Sequence, residues 1–163
     1  MIIVVFGRSG AGKDTALKRL PKKYFIYNGD SHRTERYKEV VAAGGNPSRQ
    51  LRNLQCWVHI NNVIALLKKH PNIIVNWVFQ HESQREMWRE AFPETIFIYI
   101  TSPINTIEKR LTLRPRKNHP NTTAQTMKVA QEFEEPTSYN YIIFNTGNRA
   151  YLKESLIKAI PFS

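Results

Sequence analysis

The chain has 163 residues, 41% hydrophobic and 23% charged, which predicts one globular domain over residues 1–163 with room for a hydrophobic core. Lys and Arg number 24 against 13 Asp and Glu, so the formal net charge of +11 points to a polyanionic partner, nucleic acid first, or else to a solvated basic surface with phosphate-binding cations. A lone cysteine, Cys56, excludes an internal disulfide; no apolar run approaches a membrane span, and 1–6 is too short for a signal segment, so a cytoplasmic protein without a membrane partner is expected.

Five short runs rich in Ile, Val, Phe and Tyr predict strands at Ile2–Phe6, 24–28, 73–79, 96–100 and Tyr141–Phe144. They are continuous rather than alternating, as in strands buried on both faces. Helical patterns lie between them at 13–20, 48–69, 83–91, Ile104–Leu113, 122–134 and 149–160. In 48–69 the residues Leu51, Leu54, Val58, Ile64 and Leu67 recur at helical spacing, and Cys56 is read as a buried structural thiol. Strands alternating with helices predict an α/β fold, a five-stranded parallel sheet between two helical layers. Ligands of such sheets bind beyond the C-terminal strand ends, so motifs there carry the functional weight.

The first such motif is 7–15, Gly-Arg-Ser-Gly-Ala-Gly-Lys-Asp-Thr. It fits Gly-x-x-x-x-Gly-Lys between a strand and a helix. Gly7, Gly10 and Gly12 let the backbone wrap and aim its N–H groups at phosphate oxygens, while Arg8, Ser9 and Ala11 complete the loop. The helix that follows presents its positive end to the same anion, and Lys13 bridges the β- and γ-phosphates. Asp14 stands where the pattern has Ser or Thr, and Thr15 follows. This Gly-Lys-x-Thr arrangement resembles several nucleotide kinases, and Gly-Lys-Asp-Thr resembles phage deoxynucleoside monophosphate kinases. The resemblance implies a three-layer P-loop NTPase fold that binds ATP and Mg²⁺. Either Asp14 or Thr15 would meet the metal; alternatively Asp14 favours the first helical turn by its charge.

The second strand runs into Asn28-Gly-Asp-Ser-His-Arg33. Asp30 there can orient or deprotonate an acceptor hydroxyl, and Arg33, with Arg36 nearby, can bind an acceptor phosphate or sulfate. The other reading is a turn whose carboxylate caps the next helix. Gly-Asp-x-x-Arg in this place resembles adenylylsulfate kinases. Asp-x-x-Arg also resembles polynucleotide 5′-hydroxyl kinases, which implies a general base at Asp30 and an acceptor-phosphate ligand at Arg33. The likeness to adenylylsulfate kinases extends loosely to Ser48-Arg-Gln-Leu-Arg52, to 98–103, and from Glu132-Phe-Glu-Glu-Pro136 to Asn145-Thr-Gly147.

Residues 109–117, Lys-Arg-Leu-Thr-Leu-Arg-Pro-Arg-Lys, hold no acid. By the same resemblance they form a short basic lid whose Arg110, Arg114 and Arg116 close on the ATP phosphates, with Arg114 among the catalytic residues. The other reading is a solvated basic helix end. No Asp ends the third strand, where Asn76 and Trp77 stand, and the five histidines lack a zinc spacing.

Three functions follow. The leading expectation is an ATP-dependent kinase of a hydroxyl on nucleic acid, either a polynucleotide 5′-hydroxyl or a hydroxymethylpyrimidine such as 5-hydroxymethyluracil in phage DNA. Arg36, Arg49 and Arg52 would then meet the acceptor's backbone, and Trp77 would stack a base. The alternative is a small-molecule kinase for a nucleoside monophosphate or an adenylylsulfate-like substrate. The third is a nucleotide-binding switch or assembly ATPase.

Overall fold

A computed structural model describes residues 1–18, 20–21, 24–113 and 123–161. Its centre is a five-stranded sheet in the order β2-β3-β1-β4-β5, with β1 Ile2–Phe6, β2 Phe25–Asn28, β3 Ile73–Asn76, β4 Ile96–Thr101 and β5 Tyr141–Phe144. Every pairing is parallel. Helices α1 Lys13–Leu17, α2 Glu35–Ala42, α3 Arg49–Leu67, α4 Glu82–Ala91, α5 Ile104–Leu113, α6 Thr123–Gln131 and α7 Arg149–Ala159 complete the element order.

The central strands β1 and β3 are buried throughout, which explains their unbroken apolar runs. Their alternate residues face two different cores. Ile3 and Val5 of β1 join Ile98 and Ile100 of β4 in an aliphatic layer with α5 and α7. Val4, Phe6, Phe97 and Tyr99 face the opposite layer, with Cys56, Ile60 and Val63 of α3 and Trp88 of α4. The edge strands β2 and β5 expose part of their length.

The structure differs locally from the elements expected from the sequence. Strand β3 ends at Asn76, where its partner β2 ends at Asn28. The chain then turns, and Phe79 takes a left-handed φ of 47°. Helix α1 stops at Leu17 rather than 20. Helix α2 was not predicted, because only Tyr37 and Val41 of its eight residues are buried. In α3 the buried face is Arg52, Gln55, Cys56, His59, Ile60 and Val63, whereas Leu54 and Ile64 point outward. Three buried polar side chains on that face masked it from a hydrophobic pattern. Among the described residues no helix is long and apolar enough to cross a membrane.

Candidate active site

The turn between β1 and α1 wraps around the Lys13 ammonium. Lys13 is buried, and its Nζ donates to the Gly7 carbonyl at 2.9 Å and the Arg8 carbonyl at 3.1 Å. Two glycines make this wrap possible. Gly7 has φ 142°, and a Cβ there would lie 2.1 Å from the Ile100 carbonyl oxygen. Gly12 has φ 105°, and its Cβ would lie 2.2 Å from Asn145 Nδ2. Asn145 is itself a brace: its Nδ2 donates to the Ala11 carbonyl at 2.7 Å, and its Oδ1 accepts from Gly147 N at 3.0 Å. Arg110 approaches the same turn from α5, donating to Ser102 Oγ at 2.9 Å and to the Gly10 carbonyl at 3.4 Å.

Asp14 and Thr15 are exposed toward a cavity of about 730 Å³ beyond the C-terminal strand ends. Asn76, at the end of β3, donates from Nδ2 to Asp14 Oδ1 at 2.8 Å. The Asn76 Oδ1 atom is buried and has no hydrogen-bond partner among the described residues. An all-oxygen set of carboxylate, hydroxyl and amide, one member of it unsatisfied, fits a hard divalent cation such as Mg²⁺.

The opposite wall of the cavity comes from the turn after β2. Asp30 lies in the 3-10 turn Gly29–His32, where its backbone N–H is held by Asn28 Oδ1 at 3.2 Å. Arg33 Nη2 donates to Asp30 Oδ1 at 2.9 Å, and the guanidinium lies 5.4 Å from the Tyr37 ring centroid. Thr34, not Asp30, caps α2, which leaves the Asp30 carboxylate at the cavity. The turn is fastened from α3, where Gln55 Oε1 accepts from Thr34 N at 2.8 Å and its Nε2 donates to the His32 carbonyl at 2.9 Å. Gln55 Nε2 also approaches His59 Nε2 at 3.3 Å, and His59 Nδ1 lies 2.8 Å from the Tyr27 hydroxyl. Burial holds the His59 pKa down at about 3, so the imidazole is neutral.

A family model described as an AAA domain matches residues 2–136. The chain belongs to this AAA domain family. No curated protein matches it in sequence. Among solved structures, the fold is similar to a sugar kinase from Janibacter sp. HTCC2649, at TM-score 0.80 and 17% identity over 96% of this chain and 92% of that one. It is also similar to a gluconokinase from Sinorhizobium meliloti 1021, at TM-score 0.78 and 17% identity over 96% and 89%. The APS kinase of Mycobacterium tuberculosis, solved with AMPPNP and APS, gives TM-score 0.67 at 14% identity over 97% and 95%. These likenesses show the three-layer P-loop NTPase fold.

Within this AAA domain the cavity brings Ser9, Gly10, Gly12, Lys13, Asp14 and Thr15 together with Asp30, Arg33, Arg52, Trp77 and Arg110. Gly7 and Ala11, of the same loop, do not line the cavity. Arg8 turns away, donating to the Ala130 carbonyl at 2.6 Å and pairing with Glu135. Arg36 pairs with Glu39 and Arg49 with Glu134; neither lines the cavity. Arg52 is 5% exposed, and its guanidinium is held by the Pro47 carbonyl, the Tyr37 hydroxyl and Asn46 Oδ1. Trp77, 5% exposed, packs edge-to-face on His59 and Phe79. Of the expected lid 109–117, residues 109–113 form the end of α5, where Arg110 braces the phosphate loop; Arg114 and Arg116, with 115 and 117, lie outside the described residues. Sequence reading assigned no role to the Asn145 brace, the Gln55 fastening or the cavity-lining Gln80, all distant in sequence from the motifs they serve.

Proposed function

We propose that the protein is an ATP-dependent phosphotransferase that moves the γ-phosphoryl group of ATP to a hydroxyl of a small molecule. One observation carries this reading: a single cavity joins the phosphate loop, the Asp14–Thr15–Asn76 oxygen set and the Asp30–Arg33 pair. The solved kinases that share the fold support it. In this mechanism the loop N–H groups hold the β- and γ-phosphates, and Lys13 leaves its carbonyl partners for the transferring oxygens. Asp14, Thr15 and Asn76 would hold Mg²⁺, which neutralises phosphate charge when bound. Arg110 stabilises the loop from the α5 side. Asp30 accepts the proton of the attacking hydroxyl, and Arg33 fixes both Asp30 and an anionic group of the acceptor.

A small acceptor is favoured because the receiving half is concave and because Arg36, Arg49 and Arg52 are occupied within the protein. A hydroxyl on nucleic acid is the second reading, favoured by the net charge of +11. The test is phosphoryl transfer from labelled ATP to deoxynucleoside monophosphates, adenylylsulfate, gluconate and short DNA. A labelled phosphomonoester on a small-molecule hydroxyl supports the first reading and labelled DNA alone supports the second, whereas a labelled nucleoside diphosphate contradicts both, because its acceptor is a phosphate oxygen. ATP hydrolysis with no labelled acceptor, unaffected by any of them, would identify a nucleotide switch instead.

A further inference from the structure

We infer that the side-chain amide of Gln80 is a two-point recognition element for the acceptor. It takes a molecule that presents a hydrogen-bond donor and a hydrogen-bond acceptor side by side. The identity of that molecule as a phosphoryl acceptor rests on the reading above; the site itself does not.

Gln80 is 1% exposed and lines the cavity, yet neither its Nε2 nor its Oε1 has a partner among the described residues. Other buried amides of the described residues are paired at one end or both: Asn76 donates from Nδ2 to Asp14 Oδ1 at 2.8 Å. Gln84 Nε2 donates to the Arg52 carbonyl at 3.2 Å, and its Oε1 accepts from His81 N at 2.9 Å. Gln55 and Asn145 each use both ends of the amide. Among the described residues, an amide orphaned at both ends is therefore particular to position 80. Burying such a group unpaired is unfavourable, and an apolar side chain of similar shape would serve a purely structural role better.

The backbone fixes where this amide sits. The Gln80 carbonyl accepts from Glu134 N at 2.9 Å, and the Phe79 carbonyl accepts from the buried Arg85 Nη1 at 2.6 Å. Phe79 is the only non-glycine residue with positive φ among the described residues. Strain of this kind persists only where surrounding contacts over-determine it. Arg33 Nε, in the same cavity wall as Asp30, is likewise buried without a partner among the described residues. The unpaired buried groups on the acceptor side of the cavity thus include an amide fork and a cationic donor. Their complement is an anionic molecule carrying either the lactam or amidine edge of a nucleobase or a vicinal diol.

The test is calorimetric titration of wild type, Gln80→Leu and Gln80→Glu with dTMP, dAMP and gluconate, each with and without AMPPNP and Mg²⁺. The expected result is that at least one probe binds wild type and loses ~10-fold or more in affinity in Gln80→Leu. AMPPNP affinity should change less than twofold, and the melting temperature should not fall. Binding of the monophosphates assigns the base edge, and binding of gluconate assigns the diol. Should the leucine variant fail to fold, the isosteric Gln80→Glu, which lacks the donor, should show the same loss. Probe affinity unchanged in both variants overturns the inference, as does wild-type protein that binds AMPPNP but none of the three probes. Failure of wild type to bind AMPPNP contradicts the phosphotransferase reading alone, and Gln80 is then judged on the nucleotide-free titrations.

Discussion

At the residue scale, the phosphate loop depends on atoms that are not there. Gly12 faces Asn145 Nδ2, and the missing Cβ is what lets the Asn145 brace reach the Ala11 carbonyl. Gly12→Ala should therefore disturb both the loop and its brace. The expected outcome is a stability loss on the order of 1–3 kcal/mol in urea unfolding, together with at least ~10-fold weaker AMPPNP binding. Lys13 contributes differently, since its ammonium only borrows the Gly7 and Arg8 carbonyls. Lys13→Ala should remove phosphoryl transfer while the far-ultraviolet circular dichroism spectrum and cooperative melting are retained. Near-normal turnover in that variant would contradict the role given to the loop.

At the element scale, α3 is the scaffold of the acceptor side, and it is polar where it is most buried. Gln55 fastens the Asp30–Arg33 turn, so Gln55→Ala should raise the acceptor KM and leave the ATP KM unchanged in steady-state assays. His59 lies beneath the same turn, with its ring 4.5 Å from that of Trp77. Burial lowers its pKa from 6.5 to about 3, so the fold holds it neutral while the unfolded chain protonates it. Its contribution to stability is complete above about pH 6.5 and is lost progressively as the pH falls toward 3. Burial also lowers the pKa of His81, which contributes with the same sign. The urea midpoint should drop between pH 7.5 and pH 5, and His59→Gln should flatten most of that drop; an equal slope in the variant would remove His59 from the account. These buried polar residues also explain what the sequence concealed. The phosphate loop was legible because its chemistry is contiguous from Gly7 to Thr15 and sits between a strand and a helix. The sheet was legible because β1, β3 and β4 are nearly continuous apolar runs. The working face of α3 was not, because Arg52, Gln55 and His59 are buried polar groups among its apolar ones. Asn145 and Gln80 were missed because their partners and neighbours are assembled only by the crossovers of the sheet.

At the scale of the whole molecule, the question is where the net charge of +11 resides. Described residues lining the cavity include six cations, Lys13, Lys18, Arg33, Arg52, Arg110 and Arg149, against two carboxylates, Asp14 and Asp30. Part of the excess is thus placed around the proposed polyphosphate site, where it has a use without nucleic acid. Outside the cavity, Arg36 and Arg49 meet Glu39 and Glu134. If DNA is nevertheless the acceptor, its binding should weaken steeply with salt, and Arg49→Glu should reduce the slope with AMPPNP binding intact. The absence of DNA binding at low salt, with turnover of a free small molecule, is the outcome expected of the small-acceptor reading. The most direct test of the central claim is the Asp30→Asn variant, followed by turnover with a productive acceptor and by AMPPNP affinity in parallel. If one cavity serves donor and acceptor from opposite walls, turnover should fall on the order of 10²–10⁴-fold with AMPPNP affinity nearly unchanged. Collapse of AMPPNP binding, with turnover per bound ATP preserved, would place Asp30 on the nucleotide side and contradict that account.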